Sequence, residues 1–277
     1  MIPPLARRFV AGETEATALE HARQLNQRNI GALLNLLGEH YHARPPADRD
    51  ADIYCQLVED IGNTNLNACV SVKPSQLGLN VEAGVFRANL ERIVETAASE
   101  GVFVWIDMED HTTTDVTLDA FETLAREHEG GVGVCVQANL ERTPTDLELL
   151  ATVPGKVRLV KGAYDPPADL GFTDRKRVNE AYRGCLETMF ATFGEGVAVG
   201  SHDPAMIDYA ADLHEEYGTD YEVQMLMGVR EDAQTDLARD RAVWQYVPYG
   251  GKWLSYFYRR VRERKENALF AARALVS

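Results

Sequence analysis

Lys156-Val157-Arg158-Leu159-Val160-Lys161-Gly162-Ala163-Tyr164 carries the pattern of a strand that ends in a turn. Its first five residues form a short run rich in valine and leucine that stops at a lysine and a glycine. A stretch with apolar residues at helical spacing follows at 175–193, and a second apolar run at 196–200. Strand, helix and strand in that order make a right-handed βαβ unit with its two strands parallel. Working outward, the same rhythm recurs. Strand-like runs lie at 31–37, 68–72, 102–106, 131–136, 221–226 and 242–247, with amphipathic stretches at 81–99, 118–128 and 204–217. Thr114, Thr143, Thr173, Pro204 and Pro74 stand where helix starts or the turns before them are expected. Eight strands in 277 residues favour an α/β fold closed as a (β/α)8 barrel over an open doubly wound sheet. A helix at 13–29 precedes the first strand, and a helical tail at 259–275 is basic at its start. Without a linker or a break in composition, residues 1–277 read as a single domain.

Composition narrows the function. With 45% hydrophobic residues the chain carries a sizeable core, and a net charge of −15 argues against nucleic acid, whose phosphates would be repelled. No apolar run approaches the ~18–20 residues needed to span a bilayer, and the start lacks a secretory core, so a cytoplasmic location is expected. Lysine stands only at 73, 156, 161, 176, 252 and 265; such an acidic, lysine-poor surface suits high salt and equally suits plain solubility. The four cysteines show no metal-ligand spacing and are expected to be buried, inert thiols.

In a parallel barrel the chemistry gathers where strands end. The polar residues at those ends are Glu39, Lys73, Asp107 with Glu109, Gln137, then Arg158 with Lys161 and Tyr164. After them come Ser201, His202 and Asp203, then Glu222 and Gln224, and finally Tyr246 and Tyr249. A lysine at a strand end of a lysine-poor chain points to function rather than to a surface cation. Of the acidic run Asp107-Met108-Glu109-Asp110, one carboxylate is expected to face inward and pair with Lys73 or an arginine while the others cap a helix; no metal site is expected. Gln137 and Gln224 lie in apolar strands, where an amide is costly unless it finds partners. Arg259-Arg260, three residues after an aromatic, suit a small carboxylate, because a guanidinium grips a carboxylate through a planar fork. No glycine-rich dinucleotide turn follows any strand.

These residues, in this order, resemble the proline dehydrogenases, flavoenzymes on a distorted (β/α)8 barrel. The resemblance runs through Ala6-Arg7-Arg8-Phe9, Leu37-Gly38-Glu39, Ser71-Val72-Lys73, Ile106-Asp107-Met108-Glu109 and Val136-Gln137-Ala138. It continues through 158–164, Ser201-His202-Asp203, Tyr221-Glu222-Val223-Gln224, 246–250 and Tyr256-Phe257-Tyr258-Arg259-Arg260, with Glu266-Asn267 after them. It implies oxidation of L-proline to Δ1-pyrroline-5-carboxylate with FAD as hydride acceptor. Lys73, Arg259 and Arg260 would hold the substrate carboxylate; Tyr246, Tyr256 and Leu226 would pack on its ring; Asp107 would balance the cations. Arg158 would lie near flavin N5. Gln137, Lys161, Gly162, Tyr164, Ser201, His202, Gln224 and Glu266 would contact FAD, with the C-terminal helix over the site's mouth. Ser201, Asp203 and Met227 depart from the Thr, Asn and His frequent in the family. Implied partners are a membrane quinone or other electron acceptor, met transiently at the inner face of the cell membrane, and a separate pyrroline-5-carboxylate dehydrogenase. The rival readings are a Schiff-base aldolase using Lys73 or Lys161, and a non-catalytic barrel that binds a small acid.

Overall fold

Short β-branched and leucine-rich runs, each followed by a segment with one apolar stripe, can hide both faces of their strands only in a layered or closed α/β arrangement. The structure, a computed structural model, describes residues 2–3 and 6–258. Its strands are β1 (Ile30–Leu36), β2 (Ala68–Val72), β3 (Val104–Ile106), β4 (Val132–Gln137), β5 (Lys156–Val160), β6 (Val197–Gly200), β7 (Tyr221–Leu226) and β8 (Ala242–Tyr249). They pair in chain order and in parallel, and β8 closes on β1, with Leu33 opposite Tyr246. The expected (β/α)8 barrel is formed. Around it run α1 (Glu15–Asn26), α2 (Arg44–Gly62), α3 (Ala83–Glu100), α4 (Thr114–Glu127), α5 (Thr143–Leu150), α6 (Arg175–Thr192), α7 (Pro204–Tyr217) and α8 (Glu231–Leu237). None of the helices among the described residues is long and apolar enough to cross a membrane. The expected tail helix at 259–275 lies outside the described residues.

Local chemistry accounts for the helix ends. Asp174 accepts from the backbone N–H groups of Lys176 and Arg177 at the start of α6, and Asp203 from Ala205 at the start of α7, where Pro204 takes the first turn. α7 stops at Gly218, whose φ of +75° belongs to the left-handed region that favours glycine. Two helices are absent from the sequence reading. α2 does carry a helical stripe, with Ala47, Ala51, Tyr54, Val58 and Ile61 all buried, but Pro45-Pro46 sits in its first turn and masks the start. α8 is a single short helix without such a stripe. β8 also runs two residues further than expected. Pro248 lacks an N–H, yet its carbonyl accepts from Ala11 and the Tyr249 carbonyl accepts from Leu37, so the strand's last pairings still form.

Successive strand residues alternate between the barrel interior and the helix layer. The outer face belongs to the large core shared with the helices. The inner face holds Leu33, Cys69, Phe103, Trp105, Ala198, Trp244 and Tyr246 in a cluster of its own. Two indoles fit there because glycines face them. A Cβ on Gly31 would fall 2.4 Å from the Trp244 ring, and one on Gly133 2.7 Å from the Trp105 ring. The Gly31→Ala variant is therefore expected to be about 1–3 kcal/mol less stable, through overpacking of the barrel interior. Urea melts of the two proteins measure this, and coincident midpoints would mean that the interior has slack at Trp244.

Candidate active site

The inner faces of β2, β3, β5, β7 and β8 carry polar groups above the aromatic layer, and they meet at one carboxylate. Asp107 stands just beyond β3, two positions after Trp105, and is 8% exposed. Its Oδ2 accepts from Lys73 Nζ at 2.5 Å and from the Tyr246 hydroxyl at 2.7 Å. Its Oδ1 accepts from the Ser71 hydroxyl at 2.7 Å and from the Arg158 guanidinium. Lys73 Nζ also donates to the Tyr246 hydroxyl at 2.9 Å. The Arg158 guanidinium, 5% exposed, lies 5.0 Å from the centre of the Trp105 ring, an arrangement in which ring and cation attract. Its other arm donates to Gln224 Oε1 at 2.9 Å.

The electrostatics follow from that packing. Burial by itself would raise the Asp107 carboxyl, but Lys73 and Arg158 outweigh it and hold the group well below the usual carboxylate range. Burial would likewise lower the Lys73 ammonium, yet Asp107 and Tyr246 keep it well above the ordinary lysine value. Burial and Asp107 push the Tyr246 phenol up. At neutral pH the centre therefore holds two cations, Lys73 and Arg158, against one anion, Asp107. It presents one uncompensated positive charge beside an aromatic ring, which suits an anionic guest.

Two further groups surround this centre. On one side, Gln137 Nε2 donates to the Glu109 carbonyl at 2.8 Å and its Oε1 accepts from the Ala163 N–H at 3.3 Å. The Glu109 carboxylate accepts from both the N–H and the hydroxyl of Ser75 at 2.7 Å, and Asp110 caps the turn at Thr112. On the other side, Lys161 Nζ pairs with Asp203 at 2.7 Å and Asn179 at 2.6 Å. The Ser201 hydroxyl accepts from the Asp203 N–H. His202 Nε2 accepts from the Leu226 N–H at 2.7 Å, which fixes that nitrogen as unprotonated. Gly162, with φ +115°, follows Lys161, and a Cβ there would fall 2.1 Å from Asn139 Oδ1. The Tyr164 carbonyl accepts from Asn139 Nδ2, and Leu226 is in register with Tyr246.

Lys73, Asp107, Arg158, Gln224 and Tyr246 thus come together as one network, with Asp107 as the inward carboxylate. Tyr256 is not a member of that hydrogen-bonded network. Its ring is buried with Ile2, Phe9, Val10 and Leu37 in a cluster at the N-terminal segment. Tyr249 is buried in the outer core rather than the barrel interior. Arg259, Arg260 and Glu266 lie outside the described residues. One expectation needs correction: Glu222 does not end its strand. It is the second residue of β7 and lies low in the barrel, paired with Lys156 at 2.6 Å. Ser71 and Trp105 were missed as members of the centre. The signal was available, since Ser71 precedes Lys73 by two positions, as Trp105 precedes Asp107, and such pairs share a strand face. The thiols of Cys69 and Cys135 are buried and pushed up by that burial, and the buried Cys185 thiol is raised to about 11, consistent with inert cysteines, whereas Cys55 on α2 is only partly buried.

Comparison with known proteins identifies relatives along nearly the whole chain. The family model described as proline dehydrogenase matches residues 18–273. Proline dehydrogenase 1 of Bacillus subtilis strain 168 is 32% identical over 275 residues, covering 98% of this chain and 90% of that one. The proline dehydrogenase of Deinococcus radiodurans is 35% identical over 280 residues, with the same coverage. Among solved structures, proline utilization A from Bdellovibrio bacteriovorus, inactivated by N-propargylglycine, shares the fold with a TM-score of 0.83 at 21% identity. That match covers 92% of this chain and 32% of the other.

Replacing Asp107 by Asn leaves two buried cations without their carboxylate and is expected to cost about 3–5 kcal/mol of stability. Its pH signature follows from the depressed folded-state value. An ionised Asp107 contributes fully above the ordinary carboxylate pKa near 4, and the contribution is lost as pH falls through the lower folded value. The stability gap between wild type and D107N, from denaturant melts, should be flat from about pH 5 to 8 and shrink below about pH 4. A gap that is unchanged at pH 3 would mean the carboxylate charge is not what holds the cluster.

Proposed function

The chain belongs to the proline dehydrogenase family, and from that premise we propose that Lys73, Asp107, Arg158 and Tyr246 form the floor of a site that binds L-proline by its carboxylate. The reaction is the oxidation of proline, the first step of its catabolism, here to Δ1-pyrroline-5-carboxylate. The observation that carries the site reading is the single uncompensated positive charge at Asp107, Lys73 and Arg158, next to the Tyr246 ring. Arg259 and Arg260 would complete the grip on the carboxylate from the tail of the chain. Tyr246, Leu226 and Tyr256 would close on the pyrrolidine ring. The proposal takes residues 1–277 as one catalytic unit.

Proline dehydrogenases are flavoenzymes, and the flavin is proposed to be FAD. The residues above β4 to β7 fit such a group. Gly162 leaves its backbone bare where a side chain would collide with Asn139, and the Asn139 Oδ1 is buried without a partner among the described residues. Lys161 adds a cation suited to a phosphate. Gln137, Arg158, Lys161, Gly162, Tyr164, Ser201, His202 and Gln224 would hold it, with Glu266 from the tail. When bound, the flavin supplies the hydride acceptor, and the protein supplies orientation and electrostatics. Clamping the carboxylate fixes one face of the proline ring. The cations around it lower the proton affinity of the bound ammonium, which must be neutral before a hydride can leave. Reduced flavin needs a reoxidant, proposed to be a membrane quinone met at the inner face of the membrane. The pyrroline product needs an oxidising partner enzyme. Lys73 is a poor Schiff-base nucleophile, because Asp107 and Tyr246 keep its amine charged, whereas imine formation needs it neutral. Lys161 is held in an ion pair by Asp203.

Anaerobic addition of L-proline to the purified, flavin-loaded protein is expected to bleach the flavin absorbance. A persistent spectrum would favour a binding barrel, and borohydride trapping of a carbonyl substrate an aldolase. Arg259→Ala should raise KM for proline at least ~10-fold, about the ~1.4 kcal/mol of a weakened charge-assisted bond. An unchanged KM would remove that residue from the carboxylate grip.

A further inference from the structure

A polar column runs down the barrel interior beneath the proposed site. Lys156 and Arg158 are two positions apart on β5, and Glu222 and Gln224 two apart on β7, so all four side chains point inward. The strand between them, β6, contributes only Ala198, in register with both Arg158 and Glu222, and above it Gly200, in register with Gln224. A Cβ at Gly200 would fall 2.7 Å from Val160 Cγ1 and 3.3 Å from Arg158 Cγ. Small residues on β6 thus let β5 and β7 meet across it. Lys156 Nζ donates to Glu222 Oε2 at 2.6 Å, and Gln224 Nε2 donates to Glu222 Oε1 at 2.7 Å. The amide's other end, Gln224 Oε1, accepts from Arg158. Glu222 and Gln224 are 6% and 4% exposed.

An amide has one donating and one accepting end; the Arg158 guanidinium, which only donates, takes the accepting end and leaves the NH2 end for a partner on the far side. A carboxylate accepts only. Glu222 therefore accepts from the NH2 end and anchors the amide with its carbonyl end toward the guanidinium. Lys156, beside the Phe103 ring at 5.3 Å, neutralises the carboxylate, so orientation is achieved without a net charge beneath the site. Arg158 is then held on one arm by Asp107, on the other by Gln224, and across its face by Trp105. Asp107 alone is a weak anchor for it, since that carboxylate is shared with Lys73, Tyr246 and Ser71.

We propose that Glu222 is a positioning residue for Arg158: through the oriented Gln224 amide it sets the guanidinium against the bound flavin. This rests on the reading that Arg158 faces the flavin. The test uses the full-length, flavin-loaded protein and measures the flavin's midpoint potential together with L-proline kinetics. Two changes remove the acceptor at 222: E222L, and the charge-neutral pair K156M/E222M, which replaces a buried ion pair by apolar side chains and so keeps the fold. In both, kcat should fall about 10-fold with KM within about 2-fold, the pattern of a lost transition-state interaction. In both, the potential should move negative, in the direction set by R158M, and E222L should move it no further when added to R158M. A Glu222 acting only as a bare charge predicts the opposite sign in E222L and no shift in the neutral pair. Either result, or kinetics unchanged in both variants while only the melting temperature falls, overturns the proposal. If R158M itself leaves the potential unmoved, the placement of Arg158 beside the flavin fails, and the proposal with it.

Discussion

One carboxylate inside a closed barrel organises this protein. A buried Asp107 without partners would sooner take up a proton than remain charged. Its ionisation is sustained because Lys73 and Arg158 approach it from β2 and β5 while Ser71 and Tyr246 donate hydroxyl hydrogens. The dependence is mutual, since neither cation would tolerate the same burial alone. The ring of parallel pairings brings these strands together, β3 with β5 across β4, and β8 with β2 across β1, the latter only because β8 closes on β1.

That arrangement also explains why a chain with a net charge of −15 can present a cationic cavity. The surface is acidic, but the interior has its own balance. Lys156 and Glu222 cancel low in the barrel, and above them two cations face one anion. Counting charge over the whole molecule describes its behaviour toward large anions such as nucleic acid; counting it over the interior describes the affinity for a small acid. In a low-dielectric cavity the local count prevails at short range.

The barrel itself was legible in sequence because its signal is periodic and local. Runs such as 68–72, 156–160 and 221–226 begin and end in the structure where their apolar pattern does, since the face turned to the helix layer admits only apolar residues. The helix α2 was not legible, although its buried stripe was present, because prolines at its start resemble a turn until the barrel is there to receive it. The site was legible as a set of residue types at strand ends: Lys73, Asp107, Arg158, Gln224 and Tyr246 do converge. Tyr256 reads as one more aromatic of that set, and in the structure its ring packs with Ile2, Phe9, Val10 and Leu37. Nothing in Tyr256-Phe257-Tyr258 says which ring faces which cluster.

Alternation along a strand and helical spacing are properties of neighbouring residues, so the amino-acid order alone determined the eight strands, most of the helices between them and the pole at which polar groups gather. What it could not determine was height and partnership within the cylinder. Glu222 reads as a strand-end residue, yet it sits low against Lys156 because the register of β7 against β6 and β8 places it there. Which side chain meets which, as Arg158 meets both Asp107 and Gln224, depends on distances across the interior. Those distances are set only when all eight strands have closed.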